Sequence, residues 1–162
     1  MKSFVDKNGK SWDIELNIGT ARKIKSRCNL DIENIITVDK QNNPQDVSAL
    51  ERLAMDSILL FDVIFVLCEN QIKADGITEE DFAELFNGEV IEAATDALVE
   101  EIINFSRPAK RKVLTRLWAI GKNFSKKAGE KMQQTLDSPE FEKEVEKVLT
   151  QSLTNAPESS EE

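Results

Sequence analysis

Few side chains in this chain could do chemistry, and their spacing limits what they can do. Among 162 residues there is no histidine and no tyrosine. Histidine acid–base catalysis, histidine metal ligation and Ser–His or Cys–His nucleophiles are thereby excluded. The thiols are Cys28 and Cys68. Each falls on an apolar stripe, where free cysteine behaves as a small buried hydrophobe, and no histidine is present to activate it. Two cysteines are also too few for a secreted disulfide framework or a four-cysteine zinc site. Asp62 interrupts the most hydrophobic run of the chain. Rather than a perturbed acid, we read it as lying on the wet edge of a helix or capping a neighbour. Glu79-Glu80-Asp81 and Glu100-Glu101 lack metal-loop spacing and enclosing glycines, so they read as solvated surface. Asn8-Gly9 and Asn87-Gly88 are lone glycines in turns, not phosphate-cradling loops. No catalytic, cofactor-binding or metal residue is assigned, no cofactor is expected, and the chain does not read as an enzyme.

Charge is the stronger signal. The formal net charge of −9 argues against a general nucleic-acid binder, but the charges come in blocks. From Glu69 to Ser106, eleven acidic residues stand against Lys73 alone; from Arg107 to Lys131, nine Lys or Arg stand against Glu130. In that basic block Val113, Leu114, Leu117, Ile120, Phe124 and Ala128 share a helical arc of roughly 120°. The other side carries Arg111, Lys112, Arg116, Lys122, Lys126 and Lys127, with Trp118 near its edge. Three readings follow. The apolar arc faces the core and the basic side is solvated; or the basic side recruits an acidic protein; or it meets nucleic acid or an anionic membrane surface. Arg111, Lys112, Arg116, Trp118, Lys122 and Lys126 are the candidate partner-binding residues.

These residues need a scaffold, and the pattern predicts a mainly α fold with an N-terminal β-hairpin packed on several helices. Phe4–Asp6 and Trp12–Leu16 read as short strands joined through Asn8-Gly9, a pair suited to a type I′ turn with two positive φ angles. Trp12, Ile14 and Leu16 form the face to be buried. Asn17 is placed to cap a helix over residues 18–28, with Ile18, Ala21, Ile24 and Cys28 on its core stripe and Asn29 at its end. A short second helix starts in Leu30–Ile36, Lys40–Pro44 is a loop, and Ser48 opens a helix with Leu50, Leu53 and Ala54. Ile58–Cys68 is too short for a bilayer span and reads as a central buried helix, with a strand as the minor alternative. Thr78–Asp81 has capping-box spacing, and the helix it opens carries Phe82, Leu85 and Phe86. Beyond Gly88, helices to about Phe105, from Pro108 to Leu136 and from Ser138-Pro139 onward complete one domain over 1–153, with the hairpin in 1–17. Residues 154–162 read as a disordered acidic tail. Met1–Asp6 holds no apolar signal core, so a cytoplasmic protein is expected.

The texture of the chain also resembles a known family. Phe4-Val5-Asp6-x-x-Gly9-x-x-Trp12-x-Ile14 is followed by Asn17-Ile18-x-x-Ala21-x-x-Ile24-Lys25 and Leu30. Then come Leu53-x-x-Asp56, Leu59-Leu60-x-Asp62-Val63-Ile64-Phe65-x-Leu67-Cys68 and Gly76-Ile77-x-x-Glu80-Asp81-Phe82. Glu92-Ala93-Ala94-x-x-Ala97-Leu98-x-Glu100-Glu101 and the Ser152-Leu153…Pro157-Glu158-Ser159-Ser160 ending complete the pattern. Over nearly its full length the chain is similar to small tail assembly chaperones of long-tailed phages and prophages, encoded near the tape measure protein. The resemblance implies a non-enzymatic chaperone that binds the tape measure protein, and with it other tail proteins or itself, in the bacterial host cytoplasm. No membrane is implied. The alternatives are a structural component of the tail or head–tail junction, and a nucleic-acid-binding regulator using the basic helix.

Overall fold

The structure is a computed structural model and describes residues 1–35 and 49–154. It is mainly helical, with a two-stranded antiparallel hairpin at the N-terminus packed on a multi-helix domain, as the sequence predicts. Contacts group the chain into two compact units, Met1–Lys112 and Val113–Glu162, where the sequence reading has a single domain over 1–153.

In the first unit, β1 (Lys2–Val5) pairs with β2 (Ser11–Ile14), Phe4 opposite Trp12 and Lys2 opposite Ile14. Alternation puts Phe4, Trp12 and Ile14 on a buried face, and Leu16 is buried just after β2. The turn corrects the type I′ expectation: Gly9 has φ +87°, whereas Asn8 does not have a positive φ. Asp6 is the reason. Its backbone N–H donates to Lys10 O, Gly9 N–H donates to Asp6 O, and its Oδ1 accepts from the N–H groups of Asn8 and Lys10. A three-residue loop with one left-handed glycine results, the next commonest hairpin closure.

The helix α1 (Ile18–Cys28) starts at Asn17, whose side chain accepts from Thr20 N–H at 3.0 Å while Thr20 Oγ1 accepts from Asn17 N–H at 2.9 Å. It ends at Asn29 in the left-handed region, φ 48°. Ile24 is fully buried and Cys28 half-buried, but Ile18 is exposed; as the first residue of the helix it stands at the edge of the packed face rather than in it. Where a short second helix is expected to start, the described residues form a 3-10 turn, Ile32–Asn34, capped by Asp31. The loop at Lys40–Pro44 and the helix start at Ser48 lie outside the described residues.

After α2 (Ala49–Met55), where Leu53 is buried, α3 (Ser57–Asp75) forms the centre of the unit. Leu59, Leu60, Val63, Ile64, Val66, Leu67, Cys68 and Ile72 are all buried on it. Local chemistry decides for helix: Asp56 accepts from the N–H groups of Ile58 and Leu59, and Gly76 closes the helix with φ 68°. Asp62 is exposed, on the wet edge the sequence suggests. The capping box of Thr78 and Asp81 opens α4 (Glu79–Ala83), which is shorter than expected, so Leu85 and Phe86 lie beyond its end. Phe82 is fully buried, its ring centroid 4.8 Å from Trp12 and 5.2 Å from Phe86. The helix α5 (Gly88–Phe105), capped by Asn87, packs Val90, Ala94, Ala97, Leu98 and Ile102 inward and lies against β1.

Two further helices follow: α6 (Pro108–Leu136), which begins in the first unit, and α7 (Pro139–Thr154), preceded by Ser138, whose Oγ accepts from Phe141 N–H. Thr154 closes α7; the rest of the acidic tail lies outside the described residues.

Candidate functional site

Pro108 sits at the first position of α6, where a missing N–H costs nothing, and no further proline interrupts its 29 residues. The helix presents the basic block as a row. Arg111 is engaged by the fold: its Nη2 donates to Asn104 O at 2.6 Å and Ser106 O at 3.2 Å, satisfying carbonyls at the end of α5. Lys110 likewise donates through Nζ to Glu33 O. Lys112, Arg116, Lys122 and Lys126 are exposed and Trp118 is half-buried. Lys122 Nζ stands 5.7 Å from the Trp118 ring centroid, within cation–π range. Trp118 Nε1 is buried without a hydrogen-bond acceptor.

The apolar arc of α6 departs from expectation. Leu114 is 1% exposed, but Val113 is 53%, Leu117 46%, Ile120 57% and Phe124 74% exposed. Of the arc, Leu114 is buried and these four lie in solvent, which corrects the apolar half of the first sequence reading at those four positions; its basic half, a solvated cationic side, agrees with the exposed Lys112, Arg116, Lys122 and Lys126. At 100° per residue these four exposed side chains fall within about 60° of each other, while Leu114 lies about 100° from Val113. Among the described residues the second unit has two helices, and neither covers the stripe. On α7, Phe141, Val145, Val148 and Leu149 are exposed too. The spacing of 4, 3 and 4 at 113-117-120-124 recurs as 4 and 3 at 141-145-148, a signal present in the sequence that reads as core until its exposure is seen.

Elsewhere the ionisable groups serve the fold. Glu69 accepts from Lys23 and Lys73 at 3.0 Å each and from Arg27 at 3.4 Å; those hydrogen bonds hold its carboxyl down to about 2. Glu101, 5% exposed, accepts from Leu16 N–H through Oε1, and its Oε2 lies 3.3 Å from the Met1 ammonium. Burial pushes the Cys68 thiol up to about 12 and also raises that of Cys28, where the nearby Asp62 charge adds to the effect. Neither thiol is an activated nucleophile. A cleft of about 530 Å³ is lined by Ile18, Ile32, Phe105, Ser106, Arg107 and Lys110 among others. Among the described residues, no group of three or more His, Cys, Asp or Glu is placed to hold a metal ion, and no helix is long and apolar enough to cross a membrane. Comparison with protein-family models, curated proteins and solved structures finds no match.

Proposed function

We propose that this chain is a non-enzymatic binding protein of the phage tail assembly chaperone kind, which holds the tape measure protein soluble in the host cytoplasm while the tail is assembled. The observation that carries the reading is the uncovered stripe Val113, Leu117, Ile120 and Phe124 on a long cationic helix. The eleven helical steps from Val113 to Phe124 give it a length of roughly 17 Å at 1.5 Å per residue. A stripe of that length suits a client helix laid along it, with apolar side chains supplying affinity at i, i+4 and i+7. Exposed cations beside it favour an acidic client surface and speed encounter. A long helical client with apolar faces of its own is the chemistry such a stripe fits, and the resemblance to tail assembly chaperones names the tape measure protein as that client.

The test is co-expression with the tape measure protein of the same genome, followed by tagged pull-down and a solubility assay. A soluble complex that forms only with this chain is expected. Reversing Lys112, Arg116 and Lys122 to Glu should weaken it without unfolding the chain; Arg111 is spared because it closes α5. An insoluble tape measure protein with nothing co-purifying, both proteins being well expressed, rejects the reading. Presence of this chain in purified virions would assign it to the particle instead.

A further inference from the structure

We propose that, until a client takes its place, a second copy of this chain covers the exposed α6 stripe with its α7, in a reciprocal antiparallel pairing of α6 with the partner's α7. Shape, charge and reach each lead to that occupant.

The two stripes match. In α6 the exposed positions are Val113, Leu117, Ile120 and Phe124; in α7 they are Phe141, Val145 and Val148. Both follow the alternating steps of 4 and 3 that keep a helix seam facing a neighbouring helix. Laid antiparallel, one register sets Leu117 against Val148 of the partner subunit, Ile120 against Val145 of the partner subunit and Phe124 against Phe141 of the partner subunit. By two-fold symmetry the same three layers form a second time, with the roles of the copies exchanged.

The charges select the same pairing. Along α6, eight Lys or Arg stand against Glu130 alone; along α7, four Glu stand against Lys143 and Lys147. Two α6 helices side by side would bring cation to cation. An α6 against an α7 brings cation to anion, which favours encounter and disfavours the wrong pairing.

Reach excludes the chain's own α7. Only Asp137 and Ser138 separate the two helices. If α7 folded back after that link, helix rise would set Val145 beside about position 130, and Thr154 would reach no further than about position 121. Val113, Leu117 and Ile120 would stay uncovered. Among the described residues α7 makes no extended side-by-side packing with α6, and both stripes remain in solvent.

The experiment uses the full chain alone, so its outcome is independent of any tape measure protein. Sedimentation equilibrium across a wide concentration range should show a reversible monomer–dimer equilibrium. Ile120→Asp, at an exposed position, should keep the helical circular dichroism and weaken the dimer at least ~100-fold, because an apolar layer becomes a buried charge twice per dimer. In a chain carrying both Ile120→Cys and Val145→Cys, mild oxidation should give a disulfide-linked dimer that neither single variant gives in the same yield. A wild-type chain that stays monomeric at every concentration overturns the proposal. So does a dimer that Ile120→Asp leaves intact, or a dimer in which the double-cysteine chain never cross-links.

Discussion

Trp12 Nε1 donates to Asp6 Oδ2 at 2.8 Å, and the other oxygen of that carboxylate accepts from the N–H groups of Asn8 and Lys10 at 2.8 and 3.0 Å. One side chain thus ties the hairpin turn to the largest residue of the core. Asp6 is 5% exposed and Trp12 fully buried. Burial alone would raise the Asp6 carboxyl; the hydrogen bonds from Trp12, Lys10 and Asn8 outweigh it and hold it below its ordinary range.

Asp6→Ala should therefore destabilise the fold by about 2–3 kcal/mol, because it strands the indole N–H in the core and leaves the turn without its acceptor. Urea unfolding followed by tryptophan fluorescence measures this. A loss below about 0.5 kcal/mol would mean that water or a shifted backbone replaces the carboxylate.

Glu69 joins α3 to α1 through Lys23 and Arg27, and braces its own helix through Lys73. Its carboxyl lies near 2 in the folded chain against an ordinary 4.5. A depressed carboxyl stabilises fully above the unfolded value and loses that contribution as pH falls through the folded one. The window is therefore pH 4.5 down to about 2. The three cations are 48%, 50% and 71% exposed, so solvent screening limits the effect of Glu69→Gln at neutral pH to about 1 kcal/mol. The wild-type and variant stabilities should converge towards the bottom of that window. Parallel curves in urea titrations across it would show that Glu69 is not the group responsible.

Gly76 and Gly88 separate a backbone effect from a steric one. A Cβ added at either meets nothing within 4 Å, yet Gly76 has φ +68° and Gly88 has no positive φ. Gly76→Ala should cost about 1 kcal/mol through the left-handed cap alone. Gly88→Ala, in the first turn of α5, should be neutral or stabilise by up to about 1 kcal/mol. Thermal unfolding of both variants checks the pair; equal effects would contradict it.

What could be read beforehand follows from how local each decision is. Asn17 and Asn29 bound α1 as expected because capping is decided within three or four residues. The helix α3 is settled by its own apolar content and by Asp56 and Gly76 at its ends. Asn8-Gly9 misled because the turn is governed by a third side chain, Asp6, which in turn answers to Trp12. Glu101, read from the sequence as solvated surface, is buried instead, because its partners, Leu16 N–H and the Met1 ammonium, are far away in sequence. The basic row on α6 was legible as a row. That Arg111 caps α5, and that the apolar arc beside the row faces solvent, depend on which other elements are at hand, and periodicity carries no such information.

Leu114 and Leu117 put that last distinction to a quantitative test. They lie on one helix three residues apart, of the same type, with the same propensity for helix. Leu114 is 1% exposed and Leu117 46%. Leu114→Ala should cost about 2–4 kcal/mol, the transfer of the lost methyl groups plus the cavity they leave. Leu117→Ala removes surface already half in water and should cost less than about 0.5 kcal/mol. Both are best measured in an Ile120→Asp background, where self-association makes no contribution to apparent stability. The same Leu117→Ala chain should nonetheless lose affinity for whatever covers the stripe, since burial there comes only with a partner. A large stability loss at Leu117 in that background would place the stripe inside the fold and remove it as a binding surface.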